Sequence, residues 1–541
     1  MKICTFLLVL ITSVTTEGTR AGSHRTRNHR TRSTKPDVSS NRPHIIFVLA
    51  DDLGFNDVGW HALGGSMIRT PYLDHLAYNG IRLENYYVQP MCSPTRTSLM
   101  TGRYVVTNLG LQHVNFSPTD GLCLPFDQKI LPEKLRDLGY ATHAIGKWHL
   151  GMSRKACLPT NRGFDSFFGI VTGTADHFSH KRRVKIRKDG QVGGFYGNSF
   201  YVNATPSFDY AGKFCTHINT QRAIDIIKSH DKTRPLFMYL AFEMVHNPAT
   251  VPNRYKMRYL HIGNRMRRIL AGQVFLLNEA VRNITTALKR HGIYRNSIII
   301  FTSDNGGRMF QKSSNWPLRG EKGTLWEGGI RSPGFIHSPL LPTFIRGTVS
   351  RQLMHVSDWL PTLVKGVAGG NFSDLPLPVD GYNMWTSITK NRKSPRKVLL
   401  HNINPTKPLR DWTGVDEFRW GKVEDLPFNA RRQAAIRVGD WKLVTGLQAS
   451  PVIELPVEST YSLPHDVRNT GWRSAIRLYN IDADPGERYN IASAYPDKVM
   501  KLLRKLKQFQ KMGQKPIKFR RDSRSNPAYL NGSWSPWLDD K

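Results

Sequence analysis

The sequence predicts an α/β fold: a mostly parallel β-sheet sandwiched between helices, followed by a smaller C-terminal part that mixes strands with a helix. Three observations predict it. Four apolar runs of strand length are uninterrupted, as in strands buried on both faces of a parallel sheet, and helical segments separate them. Each run ends in charged or metal-capable residues, and in open α/β sheets ligands gather beyond the carboxyl ends of the strands. Past residue 412 the pattern turns to short alternating strands.

Taken in order, Lys2 and the apolar stretch Ile3 to Val14 read as a secretory signal peptide over residues 1–22, cut between Thr16 and Gly22. The stretch is too short to span a bilayer, and no later run reaches the roughly 18 apolar residues a transmembrane helix needs. Residues 23–43 form a basic linker without periodicity. His44 to Ala50 is the first buried strand and ends in Asp51-Asp52. Cys92-Ser93-Pro94-Thr95-Arg96 reads as a helix start, with Ser93 as N-cap and Pro94 in the first turn. Free backbone donors and the helix dipole then favour an anion close to Cys92, and Arg96 adds a fork of donors. Alone, this pentapeptide fits a buried structural cysteine as well as a reactive one. A helix opened by Pro132 stops at Gly139, and the strand Tyr140 to Gly146 runs into Lys147-Trp148-His149. The strand Leu236 to Phe242 leads to His246, and the strand Ser297 to Thr302 leads to Asp304-Asn305. Ala435 to Gly446 and Arg477 to Ile481 alternate like strands, and a helix from Asp497 to Gln510 follows. The domain limits are therefore 44–412 for the large α/β part, 413–515 for a small α+β part and 516–541 for a tail.

With 77 Lys and Arg against 41 Asp and Glu over 541 residues, the chain carries a formal charge of +36. Such a balance predicts contact with polyanions. The charge clusters in an arm from Arg20 to Lys35, in an internal loop from Lys181 to Lys188 and from Lys498 to Arg521. A signal peptide turns the expectation away from nucleic acid and toward sulfated glycans, matrix or anionic cell surfaces. Five glycosylation sequons, at Asn115, Asn203, Asn283, Asn371 and Asn531, agree with the secretory route. Of the five cysteines, Cys4 leaves with the signal. If Cys92 is chemically special, Cys123 and Cys157 are a candidate disulfide pair and Cys215 is left over.

Each strand end has a bland explanation when taken singly: Asp51-Asp52 as a cap, Lys147 as surface, His149 and His246 as satisfied core histidines, Asp304-Asn305 as a turn. Four such ends coinciding with the Cys92 helix tip favour a reaction site. Asp51, Asp52, Asp304 and the Asn305 carbonyl form an all-oxygen set that suits calcium or magnesium better than zinc. Arg96, Lys147, His149, His246 and Lys322 would make a positive pocket for a tetrahedral oxyanion ester, phosphate or sulfate.

Cys92 to Arg103 (CSPTRTSLMTGR) and Gly139 to Gly151 (GYATHAIGKWHLG) resemble the two signatures of the type I sulfatases of the alkaline-phosphatase superfamily. The stretches Gly110 to His113, Thr302 to Gly307 and Asn315 to Gly329 are most similar to the branch of arylsulfatase B, the N-acetylgalactosamine-4-sulfatase, and arylsulfatases I and J. The resemblance runs from about His44 onward. It implies a large mixed, mostly parallel, alkaline-phosphatase-like sheet completed by a small antiparallel sheet with a packed helix. It further implies that Cys92 is oxidised by the formylglycine-generating enzyme to formylglycine, whose hydrate attacks sulfur and then expels sulfate by collapsing to the aldehyde. Asp51, Asp52, Asp304 and Asn305 would hold one calcium ion together with the modified Cys92. Arg96 and Lys147 would orient the hydrate, His149 would be the base for the collapse, and His246 and Lys322 would bind sulfate and protonate the leaving oxygen. The implied substrates are N-acetylgalactosamine 4-sulfate units of glycosaminoglycans or aryl sulfates, in the lysosome or outside the cell. Two departures stand out: the chain has fewer cysteines than the branch uses for disulfides, and Lys181 to Lys188 is basic where relatives carry cysteines. The competing expectations are a catalytically inactive secreted protein that binds sulfated glycans, and a phosphatase or phosphodiesterase, against which Cys92 in this motif argues.

Overall fold

Strand β1 (His44–Ala50) is buried along its whole length. Ile45, Phe47 and Leu49 enter one apolar cluster while Ile46, Val48 and Ala50 enter another, so its uninterrupted apolar run reflects two covered faces. With β2 (Ala141–Gly146), β3 (Leu236–Ala241) and β4 (Ser297–Ser303) it forms the centre of a ten-stranded mixed sheet, in the order β4, β1, β3, β2, with every neighbouring pair parallel. Gly334–His337 pairs antiparallel with β4 on one side, while on the other Ser166–Ile170 continues parallel to β2 before the antiparallel Phe200–Val202. The register sets Ala50 beside Ser303 and Leu49 and Gly146 beside Ala241, which brings the four carboxyl ends level. The computed structural model describes residues 42–538 except 64, 109, 113–114, 189–190, 376–377, 405–413, 450–452, 459–473 and 518–520. The expected signal peptide, nearly all of the basic linker, His113 and the expected boundary at residue 412 lie outside the described residues.

Helix α1 (Cys92–Thr101) packs on the face of Ile45, Phe47 and Leu49, burying Leu99 and Met100. Gly102 ends it at φ +68, a left-handed conformation that glycine adopts without steric cost, and its N–H bonds the Ser98 carbonyl. Helices α2 (Cys215–Ser229) and α3 (Arg265–Arg290) cover the opposite face through residues such as Ala223, Ile227, Leu270 and Leu277. Asn264 caps α3 by accepting from the Arg267 N–H at 3.1 Å. Among the described residues no helix is long and apolar enough to cross a membrane.

A four-stranded antiparallel sheet follows, ordered Val398–Ile403, Ala434–Val438, Trp441–Thr445, Ile476–Asn480. Its edge strand, Val398–Ile403, precedes residue 412. Helix α4 (Pro496–Met512) packs Val499, Leu502, Leu503 and Leu506 into the same cluster as Ile436 and Leu443, and that cluster is continuous with one side of the large sheet. On the other side of the small sheet, Ala435, Val444 and Tyr479 pack against Leu325 and Trp326. The tail is anchored by Trp534, which is fully buried and donates through its ring N–H to the Arg182 carbonyl. Residues Lys181–Lys188, expected as a loop, instead pair with Gln191–Asn198 as a hairpin. Inward Val184 and Phe195 lean on the core, which the density of charge conceals in the sequence.

Cys123 and Cys157 are disulfide-bonded, and Cys92 and Cys215 are free and buried. The bridge closes a loop of sequence separation 34, so replacing both cysteines by serine should cost about 3–4 kcal/mol of unfolding free energy. Denaturant unfolding of the double variant measures this, and a loss below about 1 kcal/mol would contradict it.

Candidate active site

The aligned strand ends converge on one buried cluster. β1 delivers Asp51 and Asp52, β2 delivers Lys147 and His149, β3 leads to His246, and β4 delivers Asp304 and Asn305. Backbone bonds lock the ends together: Asp51 N–H to the Met244 carbonyl at 2.8 Å, Asp304 N–H to Ala50 at 3.0 Å and Lys147 N–H to Ala241 at 2.8 Å. Gly146, at φ +96, has no room for a side chain, because a Cβ there would lie 2.1 Å from the Ala241 carbonyl oxygen. Asp52 and His149 hold φ of +62 and +57, a strained conformation for residues with a Cβ and one that clusters at functional sites.

Cys92 heads α1 at the centre of the cluster. Its sulfur accepts from Lys322 Nζ at 3.0 Å and lies 3.5 Å from Asp51 Oδ1. Lys147 Nζ donates to Asp51 Oδ2 at 2.5 Å, and Lys322 Nζ also donates to Asp52 Oδ1. The Arg96 guanidinium grips Asp304 Oδ2 through Nε at 3.1 Å and a terminal nitrogen at 2.9 Å, and donates to the Lys147 carbonyl at 3.0 Å. Three carboxylates thus face three permanent cations. Asp304 N–H aside, the Asp52 N–H reaches Asp304 Oδ1 at 3.2 Å, and Asn305 Nδ2 donates to Asp52 Oδ1 at 2.7 Å. Ser93 does not cap the helix: α1 starts at Cys92 after an extended Met91, and the Ser93 hydroxyl bridges the His149 carbonyl and the Phe116 N–H. The Ser93 N–H, expected to be free for an anion, donates to Asn115 Oδ1 at 3.1 Å.

The donor set fits a hard cation. Asp52 Oδ2 and Asn305 Oδ1 are buried oxygens without a hydrogen-bond partner, and an unpaired buried acceptor is costly unless a ligand satisfies it. Ligating atoms of Asp51, Asp52, Cys92 and His246 all lie within 4.8 Å of one another. Asn305 offers its unpartnered side-chain carbonyl, while its backbone oxygen accepts from Ser303 Oγ at 2.9 Å.

Electrostatics assign proton states. Burial, seconded by Asp304, pushes the Cys92 thiol up to about 12 despite the pull of Lys147 and Lys322. Burial, then the charges of Lys147 and Arg96, drives His149 well below its usual range. Its Nε2 bonds the Phe116 carbonyl at 3.1 Å and must carry the proton, leaving Nδ1 as an unpartnered acceptor. Burial likewise pushes His246 down to about 3 against the opposing pull of Asp52. Burial would raise Asp52, but Lys322 and His246 hold it below the carboxylate range.

The "Sulfatase" family model matches residues 43–368. The chain belongs to the sulfatase family. Arylsulfatase J of Mus musculus is 44% identical over 518 residues, covering 93% of this chain and 82% of its own. N-acetylgalactosamine-6-sulfatase of Homo sapiens is 29% identical, covering 66% of this chain and 68% of its own. Among solved structures, Ps i-CgsB in complex with k-i-k-neocarrahexaose superposes with a TM-score of 0.70 at 25% identity, covering 89% of this chain and 95% of that one. The family, the mixed sheet and the small antiparallel sheet therefore stand as expected, and the activity is that of a sulfuric ester hydrolase.

The structure of this sulfatase adds residues that motif reading passed over. Arg308 Nε lies 3.8 Å from Asp52 Oδ2, close in sequence to Asp304-Asn305 but outside any recognised pattern. Asn115 was legible only as a sequon, whereas the half-buried side chain braces the first turn of α1. Asn203, Asn283, Asn371 and Asn531 are exposed. The Lys322 segment is held from the C-terminal sheet: Lys442 Nζ bonds Glu327 and Glu487, each at 2.8 Å, and all three are buried.

Buried histidines make the fold sensitive to acid. Burial lowers His44, His177 and His337 to about 4 from an ordinary 6.5. The unfolded chain takes up these protons as pH falls below 6.5, and the folded chain refuses them until about 4, so stability is lost across that window. Each histidine accounts for about 1.4 kcal/mol per pH unit there. Burial raises Glu243 and Glu487 to about 7, which works in the opposite sense between 7 and 4.5, but His143 and His246 join the histidines and outnumber them. Thermal unfolding should show a melting temperature that falls from pH 7 to pH 4.5; a flat or rising profile would refute the assignment of neutral imidazoles.

Proposed function

We propose that this sulfatase acts through a formylglycine made from Cys92 and a calcium ion at Asp51, Asp52, Asp304 and Asn305, and removes sulfate from N-acetylgalactosamine 4-sulfate units of glycosaminoglycans or from aryl sulfates. The observation that carries the reading is the state of Cys92. It sits at the head of α1 among three cations, where a thiolate would be favoured, yet burial and the neighbouring carboxylates keep it a thiol. Held as a thiol by burial, Cys92 is a poor nucleophile as it stands. An oxidised side chain escapes that penalty. A bound ion would supply positive charge for the sulfate oxygens, and the aldehyde hydrate would supply the hydroxyl.

The chain's own side chains do the rest. Arg96 and Lys147 orient the reacting residue by fixing Asp304 and Asp51 beside it. His149 offers Nδ1 as the base. Lys322 is the charged donor for sulfate and for the leaving oxygen, its ammonium held by Asp52 against the opposing effect of burial. His246 enters as a neutral imidazole whose Nδ1 bonds the Asn247 carbonyl at 2.9 Å, leaving Nε2 toward the cluster. The apolar stretch Ile3 to Val14, read as a signal peptide, and the exposed sequon asparagines support work in the lysosome or outside the cell.

The mass of the tryptic peptide Leu83 to Arg96 from secreted protein tests the modification. A formyl side chain is expected; an unmodified thiol in active protein would sink the reading. Sulfate release from oligosaccharides ending in N-acetylgalactosamine 4-sulfate or 6-sulfate, with an aryl sulfate alongside, tests the substrate, and calcium chelation should abolish all of it.

A further inference from the structure

A cavity of about 850 Å³ opens beside the catalytic cluster, with Asp176, Lys181, Arg182, Arg183, Tyr196 and Asn247 among its lining residues. Its link to the reaction site is direct. Asn247 follows His246, and its carbonyl accepts from the Thr174 hydroxyl at 2.7 Å. His177 Nε2 bonds the His246 carbonyl at 3.2 Å, and the neighbouring Gly173 packs so tightly on His149 that a Cβ there would lie 2.3 Å from Nε2. Arg182 is close enough to His149 to be among the charges that depress it.

The cavity is cationic in effect. Its only lining carboxylate is committed elsewhere: Asp176 Oδ1 accepts from the Ser179 N–H at 2.7 Å, the Ser179 hydroxyl at 2.9 Å and the Phe178 N–H at 3.1 Å. Arg182 points inward on the hairpin, while Lys181 and Arg183 alternate to the exposed side. Its Nε is buried and has no hydrogen-bond partner. The side chain is half-buried, lines the cavity and has no carboxylate partner among the described residues, so a partly desolvated guanidinium is available to an anion that enters there. The arginine is not loosely placed, because Trp534 of the tail donates to its backbone carbonyl at 3.0 Å.

We propose that Arg182, supported by Lys181 and Arg183, forms a subsite for a second anionic group of a sulfated glycan, flanking the ester that is cleaved. The proposal rests on the sulfatase reading of the Cys92 cluster. It makes the hairpin the element that selects polymeric, multiply charged substrates over simple aryl sulfates. A carboxylate and a second sulfate share the chemistry Arg182 would recognise.

Binding separates this proposal from catalysis. Calorimetric titration of a chondroitin 4-sulfate hexasaccharide into the Cys92→Ala protein reads affinity without turnover. Adding Arg182→Ala should weaken binding about tenfold or more, and Arg182→Lys should recover much of the loss. In active enzyme, Arg182→Ala should lower the ratio of kcat/KM for the hexasaccharide to that for an aryl sulfate by a similar factor, mainly through KM. A structural role would depress both substrates alike and leave the ratio unmoved. Unchanged hexasaccharide affinity, no binding by the Cys92→Ala protein, or an unmoved ratio overturns the subsite, whereas absent sulfate release with Arg182-dependent binding intact overturns only the catalytic reading. A carboxyl-reduced hexasaccharide identifies the anion: if the Arg182 effect disappears it is the carboxylate, and if it persists it is sulfate.

Discussion

Cys92→Ala should lower sulfate release by about 10³-fold or more while leaving the protein folded, with unfolding free energy changed by less than about 2 kcal/mol. The asymmetry follows from the position. Cys92 is 1% exposed, and its sulfur fills space at the start of α1, but its removal leaves the Arg96–Asp304 and Lys147–Asp51 pairs in place. Lys322 loses one acceptor and keeps Asp52. On the proposed reading activity depends on the Cys92 side chain, whose sulfur lies against both Lys322 and Asp51. Turnover of an aryl sulfate and circular dichroism on the same sample measure the two halves, and retained turnover would remove Cys92 from the centre of the mechanism.

Lys442→Met should cost about 3–5 kcal/mol and take activity with it, although Lys442 lies on the small sheet, outside the catalytic cluster. Its ammonium is shared between Glu327 and Glu487, and the Glu327 N–H donates to Glu487 Oε2 at 2.6 Å. Removing the cation leaves two buried carboxylates beside each other, with Arg331, 3.6 Å from Glu327, as the ion-pair partner that remains. Glu327 also accepts from the Tyr87 hydroxyl at 2.7 Å, and it follows the Lys322 to Trp326 segment directly, so its displacement would move the Lys322 side chain. Adding Glu487→Gln should recover part of the stability by removing one uncompensated charge. Denaturant unfolding decides the matter, and a loss below about 1 kcal/mol would show that solvent reaches the network.

Much of the catalytic centre was legible because its residues lie in short contiguous motifs at strand ends. A buried strand is an unbroken apolar run, and the polar residue that ends it is the one that meets the ligand. Asp51, Lys147 and Asp304 were read that way, and β1, β3, β2 and β4 do end level with one another. Ser93 was misread because a serine before proline looks like a cap when only local bonds are considered. Its hydroxyl and its N–H are both taken by residues 22 to 56 positions away. The hairpin at Lys181 was misread because alternating cations hide the inward Arg182 and Val184.

By itself the sequence pointed to the sulfatase family, to the carboxylates and cations gathered around Cys92, to the parallel centre of the sheet and to Cys157 as a candidate partner of Cys123. These depend on residue type and close spacing, which local sequence records. Tertiary structure alone decided which oxygens are left unpartnered, which nitrogen of His149 is free, how the C-terminal sheet holds the Lys322 segment and where the unpaired Arg182 points. Burial and charge pairing between distant segments set all four, and neither is written in any one stretch of chain.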